Sequence, residues 1–247
     1  MNFEPVHIGI AGIYHLVFFG LLMPWSAIKS ARRLADRPYP ARRKYFFLVI
    51  GQQLFFLLLS LLVAQVEWVP LFTKPKNLWS FGVAVAILAA LIAVMMPRWR
   101  KAVEKRERRV YLFMSGEGKD KVLWVIISLL AGIGEELTYR GVFFVLLWRL
   151  TGSALVAALI AAAIFGISHY IQGWKSALLI GGFALIFHGL YWISGSLLAP
   201  MIVHFIYDVT AGFMYNKFGR ELGYPEEGIP PKASGENKSN WQNVTEL

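Results

Sequence analysis

The sequence contains no cysteine, which removes disulfide staples, thiolate nucleophiles and Cys-ligated metal sites together. It is also poor in charge. Only 16% of its 247 residues are Asp, Glu, Lys or Arg, against 57% hydrophobic residues, too little polar surface to coat a soluble globule of this size. Its long apolar runs show no strict polar–apolar alternation, which argues against a membrane β-barrel. The N-terminal MNFEPVHIGI lacks a basic region ahead of the first apolar run, so residues 8–28 read as a retained span and not as a cleaved signal peptide. The bilayer is the solvent that remains.

A bilayer crossing needs roughly 20 apolar residues as helix, and seven runs approach this length, at about 8–28, 46–66, 78–96, 122–148, 153–173, 177–193 and 197–216. The expected fold class is therefore all-α, a polytopic transmembrane helical bundle of about seven spans, with the fourth long and the sixth short. The formal charge of +10 sits mainly in two blocks beside the spans: seven Lys/Arg against Asp36 in residues 29–44, and nine against four acids in residues 97–121. Such placement speaks for topology and against a nucleic-acid partner. With the N-terminus outside, 21 Lys/Arg fall on the cytoplasmic side and only Lys74, Lys76 and Arg149 opposite. Trp25, Trp68, Trp79, Trp99, Trp124, Trp148 and Trp174 lie near span ends, where indoles suit the headgroup level. The stretch RWRKAVEKRERRVYLF (98–113) reads as a basic helix lying along anionic headgroups. Residues 217–247 read as a mobile tail, whose Asn237-Lys-Ser and Asn243-Val-Thr triplets match glycosylation acceptors but would be silent on the inner face.

Ionisable residues inside spans cost at least about 2.5–3.5 kcal/mol on insertion scales and point to function. They crowd into the second half of this chain. The fourth span holds Glu135, Glu136 and Arg140 in GIGEELTYRG, the fifth ends at His169 in FGISHY, and the seventh carries His204 and Asp208 in MIVHFIYDV. Glu136 and Arg140 are spaced i,i+4 and can pair on one face; Glu135 points about 100° away and is left as a carboxylate suited to general-base work. His204 and Asp208 are also i,i+4, so the carboxylate can orient the imidazole, and Phe165 can wall off His169. His188, on an otherwise apolar span, reads as a hydrogen-bonded contact between helices. His7 and His15 read as interfacial. Depth reckoned from the inner boundary places Glu135 and His204 near the midplane and His169 nearer the cytoplasm, so their convergence requires offset helices. Glu135, His169 and His204 are also candidate ligands for a divalent metal such as Zn²⁺, although there is no HExxH and each comes from a different span.

These motifs resemble those of the CPBP intramembrane proteases, the Abi or CAAX-processing family that includes the type II CAAX prenyl endopeptidases. EExxxR matches Glu135 to Arg140, FxxxH matches Phe165 to His169, and the closing HxxxN/D matches His204 to Asp208, with Asp where the eukaryotic enzymes carry Asn. The resemblance covers residues 121–216, and the first three spans match only as generic spans. It implies an intramembrane endopeptidase, of glutamic or metal-dependent type, acting on a membrane-associated protein or peptide. Glu135 with His169 would activate water, Glu136 would be held by Arg140, and His204 with Asp208 would stabilise the oxyanion. The expected organisation is a three-span region with basic cytoplasmic loops (1–120), a protease core (121–216) and the tail (217–247), in a prokaryotic plasma membrane. A proton-coupled transporter using the same acids as a relay, or a non-catalytic scaffold of the same fold, are the alternatives.

Overall fold

The computed structural model describes residues 7–226 and 228. Among the described residues there is no strand, and seven long helices follow one another: α1 (Ile10–Asp36), α2 (Arg42–Val66), α3 (Trp79–Glu104), α4 (Lys119–Thr151), α5 (Ala154–Ser168), α6 (Trp174–Ser194) and α7 (Leu198–Glu221). All but α5 are long and apolar enough to cross a bilayer unaided. The chain is an integral, multi-pass helical bundle. The two glycosylation triplets lie outside the described residues.

The bundle is built around α4. In its most apolar window 61% of residues are buried, against 17–28% in the other five long helices, because α4 packs against α2, α5 and α7 at once. This explains its composition: a helix carrying Glu135, Glu136 and Arg140 in its middle is tolerated only where protein, and not lipid, surrounds it. Small residues set the closest approaches. A Cβ on Gly132 would stand 2.9 Å from the Phe205 nitrogen, and one on Gly166 would stand 2.5 Å from the Ala177 carbonyl. Glycine there lets α7 lie against α4, and α6 against α5, backbone to backbone.

The loops sort into two ends. At one, Arg108 donates to the carbonyls of Leu34, Ala35 and Arg37 at 2.8–3.0 Å, satisfying the last turn of α1. Arg43 pairs with Asp120 at 2.7 Å, Arg109 donates to the Gln172 carbonyl, and Asn216 donates to Glu117 at 2.7 Å. Hydrogen bonds from Lys121 and Asn216 hold the Glu117 carboxyl below its ordinary pKa. At the other end Arg149 donates to the Glu67 carbonyl at 2.9 Å and Thr73 to Gly195 at 2.6 Å. Alternate connections thus meet at opposite ends, the pattern of a chain that crosses seven times, and the two basic blocks share one end. Reporter fusions after Lys119 are expected to behave as cytoplasmic and fusions at Lys76 as external; the reverse pattern would overturn the orientation.

Several local expectations change. The short helix is α5 and not the sixth: it stops at Ser168, and beyond His169 a tighter 3-10 turn, Tyr170–Gln172, follows, with Gly173 at a φ of +92° and Arg109 packed where a side chain would be. The basic stretch 98–113 is no surface helix. Its first part continues α3 through Pro97 to Glu104, and Arg108–Phe113 form a 3-10 turn, so that Trp99, Val103, Val110 and Leu112 enter a core cluster under the bundle end. Trp99 and Trp124 are interior, whereas Trp25, Trp68, Trp79 and Trp174 are more than half exposed as headgroup-level indoles should be. The last helix runs to Glu221 rather than 216, and Tyr224 beyond it is buried, its hydroxyl donating to the Glu107 and Arg108 carbonyls at 3.0 and 3.1 Å.

Candidate active site

The EExxxR segment is where α4 departs from α-helical geometry. Glu136–Phe143 is a π-helical stretch with every residue buried, and such wider turns inside α-helices recur at functional sites. A chain of buried hydroxyls supports it: Ser60 of α2 lies 2.7 Å from Thr138, and His15 Nε2 of α1 lies 3.3 Å from Ser60. His15 is 1% exposed. It is therefore an interior group bracing α4 and not an interfacial one.

Glu136 is the hub. Its Oε1 accepts from Arg140 Nη1 at 3.1 Å and stands 2.8 Å from His204 Nδ1, so the pair expected along one helix also fastens α4 to α7. Arg140 lies between two rings, 4.3 Å from the centroid of Phe165 and 5.4 Å from that of Phe187, which spread its charge contact over aromatic faces. Asp208 is secondary for the imidazole, at 3.5 Å from His204 Nε2. Its backbone carbonyl accepts from Trp124 Nε1 at 3.0 Å.

Glu135 divides its two oxygens. Oε1 accepts from Gln53 Nε2 of α2 at 2.7 Å. Oε2 has no hydrogen-bond partner and faces His169 Nε2 at 3.7 Å and His204 Nε2 at 3.9 Å. His169 Nδ1 lies 2.8 Å from the Phe165 carbonyl; a carbonyl only accepts, so Nδ1 carries the proton and Nε2 is the nitrogen free to act. The depth conflict disappears because α5, at about 22 Å, is shorter than the ~30 Å hydrocarbon core and delivers His169 before the inner boundary.

All six expected residues, Glu135, Glu136, Arg140, His169, His204 and Asp208, are thus within one connected group, and all but Glu136 line a cavity of about 370 Å³. That volume lies in the range of small-ligand pockets, roughly 300–1,000 Å³. The cavity extends from the polar group to apolar walls that include Met23, Phe56, Leu91 and Met95. His188 stands apart: it is buried against Phe144, with ring centroids 5.1 Å apart, and neither nitrogen has a partner, so it is not the hydrogen-bonded contact expected. Gln53, Trp124 and the Ser60–Thr138 contact were missed by a search confined to ionisable residues. Their signal was present, since Gln53 and Ser60 are polar residues seven apart on the buried face of α2.

Glu135 Oε2 faces His169 Nε2 and His204 Nε2 at 3.7 and 3.9 Å. Among the described residues no group of three His, Asp or Glu side chains is placed to hold an ion.

The described residues thus form a multi-pass helical bundle with glutamate and histidine side chains gathered around one internal cavity. Residues 118–210, from the start of α4 into α7, match the family model described as Type II CAAX prenyl endopeptidase Rce1-like, in agreement with the family that the three motifs resemble. No curated protein and no solved structure matches the chain.

Proposed function

We propose that the chain is an intramembrane endopeptidase in which Glu135 and His169 activate water for attack on a peptide carbonyl of a membrane-associated protein or peptide. The observation that carries this reading is the free Oε2 of Glu135, turned towards two imidazoles inside a cavity while the other oxygen is hydrogen-bonded. A water between Glu135 Oε2 and His169 Nε2 gives its proton to the carboxylate as its oxygen bonds to the carbonyl carbon. Negative charge then moves to the carbonyl oxygen, which His204 stabilises, with Asp208 and Glu136 holding the ring. Collapse of the tetrahedral species breaks the C–N bond, and the proton held by Glu135 passes to the departing amine. A proton relay is less well served, since Glu135, Glu136, Arg140, His169, His204 and Asp208 gather at one locus in α4, α5 and α7.

The test is a comparison of membrane proteomes from a deletion strain carrying either the wild-type chain or Glu135→Ala. An accumulated longer precursor is expected with Glu135→Ala and its shortened product with wild type; identical proteomes would overturn the proposal. Purified enzyme acting on that precursor should keep its activity after chelation. Loss of activity on chelation, restored by Zn²⁺, would replace the metal-free step with a metal-dependent one.

A further inference from the structure

We propose that Gln53 is a positioning residue for Glu135, so that α2 completes the reactive group from outside the segment 118–210 that matches the family. The inference rests on the reading of Glu135 as the base. Gln53 is 5% exposed and lies on the face of α2 that also buries Phe46, Phe56, Ser60 and Val63. An amide at that depth is costly unless it is hydrogen-bonded, and only one of its ends is used: Nε2 donates to Glu135 Oε1 at 2.7 Å, whereas Oε1 has no partner. A residue placed simply to satisfy its own polarity would pair both ends. Here the donor alone has a task.

The task follows from how a glutamate moves. Rotation about its terminal torsion is broad and nearly two-fold, so a carboxylate without a fixed donor presents either oxygen at a range of angles. A short hydrogen bond from a neutral donor to the carboxylate is among the stronger ones. It pins one oxygen and leaves Oε2 as the atom that meets His169 and His204.

Two measurements on the full-length protein test the role. In detergent, the infrared carboxylate band that disappears in Glu135→Gln identifies Glu135 without any substrate. Gln53→Met keeps length and helix propensity but removes the donor. It is expected to move that band and to slow processing of the trapped precursor roughly 10- to 100-fold, with thermal unfolding close to wild type. Gln53→Asn withdraws the amide by one methylene and gives the same reading should the Met variant fail to fold. An unmoved band, or processing at the wild-type rate, overturns the role of Gln53. Wild-type processing by Glu135→Gln would instead sink the reading of Glu135 as the base while leaving the band shift standing, so the two failures are told apart.

Discussion

Glu135→Gln is expected to lower cleavage by at least roughly 10²- to 10⁴-fold, the contribution of a positioned general base, while the protein inserts and unfolds in detergent much as wild type does. The amide oxygen can still accept from Gln53 Nε2, so the contact between α2 and α4 survives. The other end is changed in kind. Where Oε2 faced His169 and His204 with an open acceptor, an NH₂ group now presents only donors. Water placed there can no longer give up its proton to the side chain, and the amide donor engages the water oxygen that should attack. Measuring precursor processing beside thermal unfolding separates the two effects, and retained processing in a well-folded variant would remove Glu135 from the base role.

The ionisable residues were legible in the sequence because a bilayer makes them expensive: Glu135, Glu136, Arg140, His169, His204 and Asp208 stood out against apolar runs, and their motifs gave the family. The seven runs were legible for the same reason. What escaped depends on which face of a helix meets which neighbour. His15 and Trp124 lie where a lipid-exposed end was expected, yet each is enclosed by other helices, and composition alone does not reveal that α4 is encircled. Gln53 was overlooked because a neutral amide carries a smaller insertion cost than a charge, although its seven-residue spacing from Ser60 marks the face turned towards α4. The π-helical stretch and the early end of α5 have no compositional mark. Both follow from tertiary packing, the first beside the Ser60–Thr138 contact and the second from the turn that Arg109 holds at Gln172.

Arg140→Met is expected to destabilise the protein by about 3–5 kcal/mol, the usual consequence of removing one partner from a buried ion pair. Glu136 is fully enclosed and Arg140 is 1% exposed, so neither water nor headgroups can replace the lost guanidinium, and only His204 remains to face the carboxylate. The same principle predicts that the loss is a matter of stranded charge more than of lost attraction, since replacing both members of a buried pair by apolar side chains of similar volume is often neutral. Arg140→Met combined with Glu136→Leu should therefore recover most of the thermal stability lost by Arg140→Met alone. It should not recover proteolysis, because His204 Nδ1 then has no carboxylate to fix the ring opposite Glu135. Thermal unfolding in detergent and the amount of protein in the membrane fraction report the first effect, and precursor processing reports the second. An Arg140→Met variant as stable as wild type would show that the buried ion pair does not stabilise the fold, and recovery of activity in the double variant would show that Glu136 does not position His204.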